Sequence, residues 1–390
     1  MAKWWCLFLL GVAPVVFGQQ TELDRLVAES IRLRELTPVG QYSQDPFGKV
    51  TRPDWTNLKH FLRDWIESRL PANLAALDRE YQGLGAQLTA ELWRAGLTEP
   101  EKPSAEAGYV SSVNLSRPME YPGVLMVEAG VTVPCGFDVS IYIYHYKTDS
   151  RIRLLEADGN GKWGNQVAET LFSAPDTLGR RAFYASWSGV QCASVWNMLD
   201  YRLFRIDADG DHVAPILAET HSYADWDAQV KLTPEELLLE LSAEAMEGGF
   251  RRTYIMHYSL GSDGVQRIDP VALQPQDFIH EWLTRPWSEM QSRSSDGLEK
   301  WHSFLHADYV FGGYDFVQPC SERAGVTQIG VAFDTVAERE IPEPLSLYFL
   351  VEDQGGYHYK MSEISLNRQE GCPGETAATY DNRPSLFPKK

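Results

Sequence analysis

The residues best equipped for chemistry gather in RIDADGDHVAPIL, residues 205–217, where Asp207, Asp209 and Asp211 alternate with small residues. Carboxylates at this spacing could begin a calcium loop, since calcium takes roughly six to eight oxygen ligands. The helix–loop–helix form of such a loop also needs a glycine at its sixth position and a bidentate glutamate at its twelfth. Counted from Asp207, those positions hold His212 and Ala218, and Glu219 comes one residue late. The flanks read as strands, not helices. The segment is therefore read as a hairpin turn whose charges Arg202 or Arg205 help to balance, and calcium is the one cofactor at which the chain hints.

A second candidate is the pair His302 and His306 in GLEKWHSFLHADY, residues 297–309. Four residues apart on a helix, both imidazoles share one face, as metal ligands do. The zinc-protease pattern would place its general base directly after the first histidine, where this chain has Ser303. The pair is read as surface or hydrogen-bonded histidines. No GxSxG nucleophile motif occurs, WSGV at 187–190 lacking the preceding glycine. The glycines of GNGKWGN, 159–165, lack the strand–loop–helix setting of a phosphate loop. Asp138, Glu281 and Asp315 stand near aromatic residues. They are the material for a glycosidase-like site, which sets two carboxyl groups roughly 5 to 10 Å apart.

The elements that must position these groups fall into two kinds. Residues 21–96 read as helical. Leu58, Phe61, Leu62, Trp65 and Ile66 recur at three- and four-residue steps, as do Leu74, Leu77, Tyr81, Leu84, Leu88 and Leu92. That spacing puts each apolar set on one helix face. The two helices are expected to pair antiparallel, with Pro71 in the first turn of the second. LTEPEKPSAEAG, 97–108, reads as a linker.

From Tyr109 onward strand patterns dominate: VSIYIYHYK, SRIRLLEA, DYRLFRI, TYIMHYSL and LSLYFLVE. Acidic, glycine-containing turns begin at 158, 207, 261 and 352, and such turns between alternating segments are hairpin signals. Their intervals are 49, 54 and 91 residues. A propeller blade takes about 45, so the last interval favours an irregular, sandwich-like body over a regular propeller. Two short helices interrupt the strands, at 275–283 with Pro275 in its first turn, and at 297–309.

The N-terminus, MAKWWCLFLLGVAPVVFGQQ, has one cation, an apolar run from Trp4 to Phe17 and small residues before Gln19. That is the pattern of a secretory signal peptide cut near Gly18–Gln19. The run is shorter than the roughly 20 residues of a membrane span. Once Cys6 is removed with the leader, Cys135, Cys192, Cys320 and Cys372 remain, an even set that in an exported chain reads as disulfides. The pairing expected is Cys135–Cys192 and Cys320–Cys372, each inside one region. The full chain carries a net −19, and loss of Lys3 leaves 34 cations against 54 carboxylates, or −20. Such acidity argues against nucleic acid and anionic membranes as partners, because phosphate binding relies on clustered cations.

PCGFDVSIYIY, CASVWNMLDYRLFRID, VQRIDPVALQPQDFIHEWLTRPW and WHSFLH ahead of a cysteine follow one another over about residues 110–372. This succession resembles a group of uncharacterised secreted proteins of Acidobacteria-type soil bacteria. The resemblance is one of pattern and implies neither an activity nor functional residues.

The expected architecture is mainly β, α+β overall: a helical pair, then a large antiparallel β region that is sandwich-like or irregular and propeller-like. The expected divisions are a signal peptide at 1–18, helices at 19–96, the linker at 97–108, a β-rich region at 109–274, and helices plus strands at 275–390. The functional expectation is an exported, secreted or periplasmic, non-catalytic binding or structural protein with a protein or glycan partner. The alternative is a secreted hydrolase with paired carboxylates.

Overall fold

The computed structural model describes residues 21–37, 52–98, 107–133, 136–159, 164–190, 197–223, 226–244, 251–262, 264–335, 345–369, 371–372 and 385–387. The expected signal peptide, most of the 97–108 linker, and Cys135 and Cys192 lie outside the described residues. Among those described, no helix is long and apolar enough to cross a membrane.

Three helices open the fold. α1 (Glu22–Leu36) begins in a capping box, the Thr21 hydroxyl accepting from the Asp24 N–H and the Asp24 carboxylate from the Thr21 N–H. α2 (Arg52–Arg69) and α3 (Leu74–Arg94) are the pair legible in the sequence. Asn73 caps α3 by accepting from the Ala76 N–H at 3.0 Å. Pro71 therefore precedes the cap and does not sit in the first turn, because the asparagine oxygen takes the capping role.

The strands form four successive meanders, in each of which sequential neighbours pair antiparallel. The first is β1 (Val110–Ser116), β2 (Val124–Val133), β3 (Gly136–Tyr146) and β4 (Arg151–Asp158). The second is β5 (Gly164–Phe172), β6 (Arg181–Val190), β7 (Asn197–Ile206) and β8 (Val213–Tyr223). The third is β9 (Trp226–Leu232), β10 (Glu236–Glu244), β11 (Arg251–Gly261) and β12 (Gly264–Arg267). The fourth is β13 (Tyr309–Pro319), β14 (Val326–Thr335), β15 (Leu345–Asp353) and β16 (Tyr359–Ser365). A parallel bridge between Asp138 and Asn165 joins the first two. The fold is mainly β and open, not closed into a barrel.

Hairpins do close at 207, 261 and 352. The segment at 158 does not close one. β4 pairs with β3 and β5 with β6, so this segment carries the chain from one meander to the next. The long last interval has an equally plain cause. α4 (Pro275–Thr284), α5 (Trp287–Met290), a 3-10 turn at Gln291–Arg293 and α6 (Glu299–Asp308) are inserted between the third and fourth meanders.

The layers stack in chain order. One face of β2 and β3 (Leu125, Val127, Val131, Tyr142, Tyr144) packs against Leu58, Trp65, Leu84 and Leu88 of the helices. The other face (Val124, Met126, Ile141, Ile143) meets Phe183, Trp187 and Phe204 of the second meander. The second meander turns Tyr184, Leu199, Tyr201 and Leu203 to Leu239, Leu241, Met256 and Tyr258 of the third. Phe278, Ile279 and Trp282 of α4 cover Ile329, Phe333 and Phe349 of the fourth. On β10 the buried Glu240 accepts the backbone N–H of Leu386 at 2.7 Å, a contact that spans 146 residues.

Candidate functional site

α4 places two successive side chains in two different environments. Its apolar residues Phe278, Ile279 and Trp282 repeat at helical spacing and fix the helix against the fourth meander. That anchoring sends Glu281 and Arg285, one turn apart, toward the second and third meanders, while His280, Leu283 and Thr284 line a groove beside β13.

The Glu281 side forms a buried charge seam. Glu281 is 2 % exposed. Its Oε1 accepts from Arg252 at 3.2 Å, and its Oε2 from Arg267 at 2.8 Å and Arg285 at 3.4 Å. Arg285 reaches on to Glu219 of β8 at 3.2 and 3.4 Å. Glu219 also accepts the hydroxyls of Tyr201 and Tyr258, each at 2.7 Å, and contacts His221 Nε2 at 3.1 Å. Burial opposes the charge on Glu219, but the His221 hydrogen bond, the Arg285 charge and the two hydroxyls outweigh it and hold the carboxyl far below the usual range. Burial likewise opposes the charge on Glu281, and the three guanidinium charges overcome it. The Tyr258 hydroxyl is pushed up to about 12, chiefly by burial. Two carboxylates and three arginines thus close the gap between the second and third meanders at α4.

The groove on the other side of α4 has a volume of about 280 Å³. Its walls are Leu283, Leu305, Tyr309, Phe311 and Phe333, with His280 and His306 among them, and among the described residues its lining includes no Asp, Glu, Lys or Arg. Two large apolar side chains stand exposed at its edge, Phe304 (41 %) and Val310 (44 %). The Phe304 ring lies 5.1 Å from that of Tyr309.

His302 and His306 share a face of α6 as their spacing predicts, and their rings stack, with centroids 4.2 Å apart at 25°. His302 Nε2 contacts the Arg285 carbonyl at 3.0 Å, which makes that nitrogen a donor. Burial pushes both imidazoles below their ordinary value, His302 also under the influence of His306 and against the pull of two α4 carbonyls. Among the described residues, no group of three or more His, Cys, Asp or Glu is placed to hold a metal ion.

Asp207, Asp209 and Asp211 sit in the β7–β8 turn, where Gly210 takes the left-handed φ of 68°. The turn is closed by the Asp207 N–H on the His212 carbonyl at 3.0 Å and the Asp211 N–H on Asp209 Oδ1 at 3.0 Å. The balancing cation is neither of the arginines expected. Arg202 is held by Asp200 and Arg205 reaches the Gly261 carbonyl. Lys147, from the β3–β4 turn stacked beside this one, pairs with Asp211 instead, and His145 Nδ1 contacts the Gly210 carbonyl at 2.8 Å.

The three carboxylates considered for catalysis stand in three different settings. Asp138 shares Lys59 of α2 with Asp158, at 3.0 and 2.9 Å. Glu281 belongs to the seam, and Asp315 is exposed at a bulge in β13. Near the Lys59 cluster the buried Asp200 is pushed upward by burial, against Arg202 and Thr220. Cys320 and Cys372 form the expected disulfide. Sequence reasoning missed Glu219 as a site residue and missed Arg252, Arg267 and Arg285. One signal was present: Arg252 falls on the same strand face as Tyr254, Met256 and Tyr258, a charge where the alternation calls for an apolar residue.

No family model matches the chain, and no curated protein matches it. Among solved structures it is similar to a complex of BT0996 with RGII, at 9 % identity and TM-score 0.21, over 65 % of this protein and 72 % of that one. It is similar to a levansucrase mutant of B. megaterium, at 9 % identity and TM-score 0.22, over 65 % and 67 %. It is also similar to a glycoside hydrolase, at 10 % identity and TM-score 0.22, over 71 % and 91 %. At these scores the likenesses carry no argument.

Proposed function

We propose that the chain is an exported, non-catalytic binding protein that holds a neutral sugar residue of a glycan in the groove between α4, α6 and β13. The observation that carries this reading is the groove's lining: aromatic and aliphatic walls, with His306 and Thr284 as exposed polar groups and, among the described residues, no Asp, Glu, Lys or Arg. A sugar ring has an apolar face for such walls and a hydroxyl edge for the exposed His306 imidazole. Binding sites of this kind are mostly apolar with a few placed polar groups. Export is supported by the signal-like N-terminus and by the Cys320–Cys372 disulfide, which suits an oxidising compartment.

The test is calorimetric titration at pH 7.5 with neutral pentasaccharides of glucose, xylose and mannose. A dissociation constant of about 1 mM or tighter is expected for one of them, a binding free energy of about 4 kcal/mol. His306→Ala and Val310→Asp, both at exposed positions on the groove, should weaken it by about tenfold, or about 1.4 kcal/mol. Failure of every sugar to bind, or binding untouched by both substitutions, would remove the groove from consideration. Export itself is checked by N-terminal sequencing of the natural product, which should begin near Gln19.

A second reading, hydrolysis, is favoured by Asp200. Burial raises its pKa against its ion pair with Arg202, and the charge of Asp158 adds to the rise, an environment of the kind that sets an acid apart from its partner carboxylate. Asp200→Asn would abolish glycosidase activity on chromogenic substrates under that reading, and would leave glycan binding unchanged under the first.

A further inference from the structure

We propose that the stacked pair His302–His306 makes the groove a proton-operated site, which holds its ligand near neutral pH and releases it in mildly acidic surroundings. This rests on the groove being the binding face.

The geometry gives the pair its role. His306 is exposed and forms part of the groove wall, while His302 lies buried directly beneath it. Trp282 of α4 stands edge-on to His302 at 4.8 Å and Trp287 of α5 at 5.4 Å, so His302 has little freedom to move. Its Nε2 is committed to the Arg285 carbonyl at the C-terminal end of α4, which leaves the lone pair of the neutral ring on Nδ1. The stack at 4.2 Å therefore suits two neutral rings and is disfavoured as protons enter it, because like charges so close repel.

The surroundings offer little relief to a cation. Carbonyls of Arg285 and Trp282 face His302 from α4 and favour its charged form, but burial and His306 weigh more. Of the charged side chains of α4 and its C-cap, Glu281 and Arg285 turn away into the seam and Asp277 is buried in the first turn; Glu289 of α5 is half-buried, and Glu299 and Lys300 of α6 face solvent. His280 lies on the α4 wall of the groove, edge-on to Tyr254 and Phe311. Below the ordinary histidine value of 6.5 a proton thus enters the stack. The fixed ring is His302 and the free one is His306, so His306 swings to solvent. The groove then loses a wall and gains a charge beside its apolar lining.

Linkage to one proton limits the loss to about tenfold in affinity per pH unit below the midpoint. The test uses the mature chain and, as probe, whichever neutral pentasaccharide binds at pH 7.5. Its affinity should fall about tenfold between pH 7.5 and 5.5, and His306→Gln should flatten that dependence. In parallel, NMR of the imidazole ring protons should show both histidines titrating below 6.5, with His306→Gln raising the midpoint of His302. Equal affinity at both pH values, or midpoints that ignore the substitution, would overturn the proton switch alone. No binding at pH 7.5 would overturn the groove reading, and this inference with it.

Discussion

Glu281→Gln tests the charge seam directly, because it removes one charge and keeps the shape. Glu281 is the shared counterion of Arg252, Arg267 and Arg285 at 3.2, 2.8 and 3.4 Å, and it is 2 % exposed. Breaking a buried pair by deleting one partner costs about 3–5 kcal/mol, since the remaining charge stays buried without compensation. Arg285 keeps Glu219 as a second carboxylate, whereas the side chains of Arg252 and Arg267 carry their charge at only 5 % and 4 % exposure. The cost should therefore lie in the upper half of that range, about 4 kcal/mol. With an unfolding entropy of about 2.1 cal/mol/K per residue, a 390-residue chain melting as one unit loses about 1.2 °C per kcal/mol, giving a fall of about 5 °C. The pH dependence has a definite sign. The Glu281 carboxyl is held below its ordinary value of 4.5, so its contribution is present above that pH and is lost as pH falls through the lower folded value. Scanning calorimetry of both proteins should show a constant gap from pH 7 to about 5, narrowing in stronger acid. A fall of less than about 1 °C at pH 7, or a gap indifferent to acid, would refute the view that the arginines depend on this carboxylate.

Other substitutions probe other parts. Replacing Cys320 and Cys372 by serine together opens a bridge of separation 52, for which loop entropy alone predicts a loss of about 4 kcal/mol, read from the urea midpoint. Gly210→Ala should cost about 2 kcal/mol, because its φ is 68° and its new Cβ would lie 2.7 Å from His145 Cε1. Asp209→Asn should move the melting temperature by less than about 1 °C, with or without millimolar calcium. A calcium-dependent rise that this substitution abolishes would make the turn a metal site.

Local pattern carries far in this chain, and its limit can be seen at particular residues. Alternation locates β3, β4, β7, β11 and β15, and the three- and four-residue steps locate α2, α3, α4 and α6. Those signals are local, since each strand or helix face records what it packs against. Which strand pairs with which is not local. DGNGK at 158 carries the same kind of turn signal as DADGD at 207, yet β4 pairs back to β3 and β5 on to β6, while the segment at 207 closes a hairpin. The seam is hidden for the same reason. Glu219 and Arg285 stand 66 residues apart, and nothing near either announces the other. Asp211 finds its cation in Lys147 because two turns stack in space, whereas the sequence points to the neighbouring arginines. Aromatic neighbours mark Glu281 in the sequence, whereas its setting in the fold is three guanidiniums.

The tie between Glu240 and Leu386 has a bearing on how the chain is made. The layers are ordered as the residues are, so each meander can settle on one already synthesised, in keeping with N-terminal-first assembly during translation. Among the described residues, Glu240 waits longest. It takes its buried place with the third meander, but the N–H it accepts belongs to a residue 146 positions later. At about 5–20 residues per second, the nascent chain carries that carboxylate without this N–H for about 7 to 30 seconds. A product cut short of Leu386 would keep that defect permanently, in the midst of an otherwise complete β core, and would offer quality-control proteases a recognisable difference between finished and unfinished molecules.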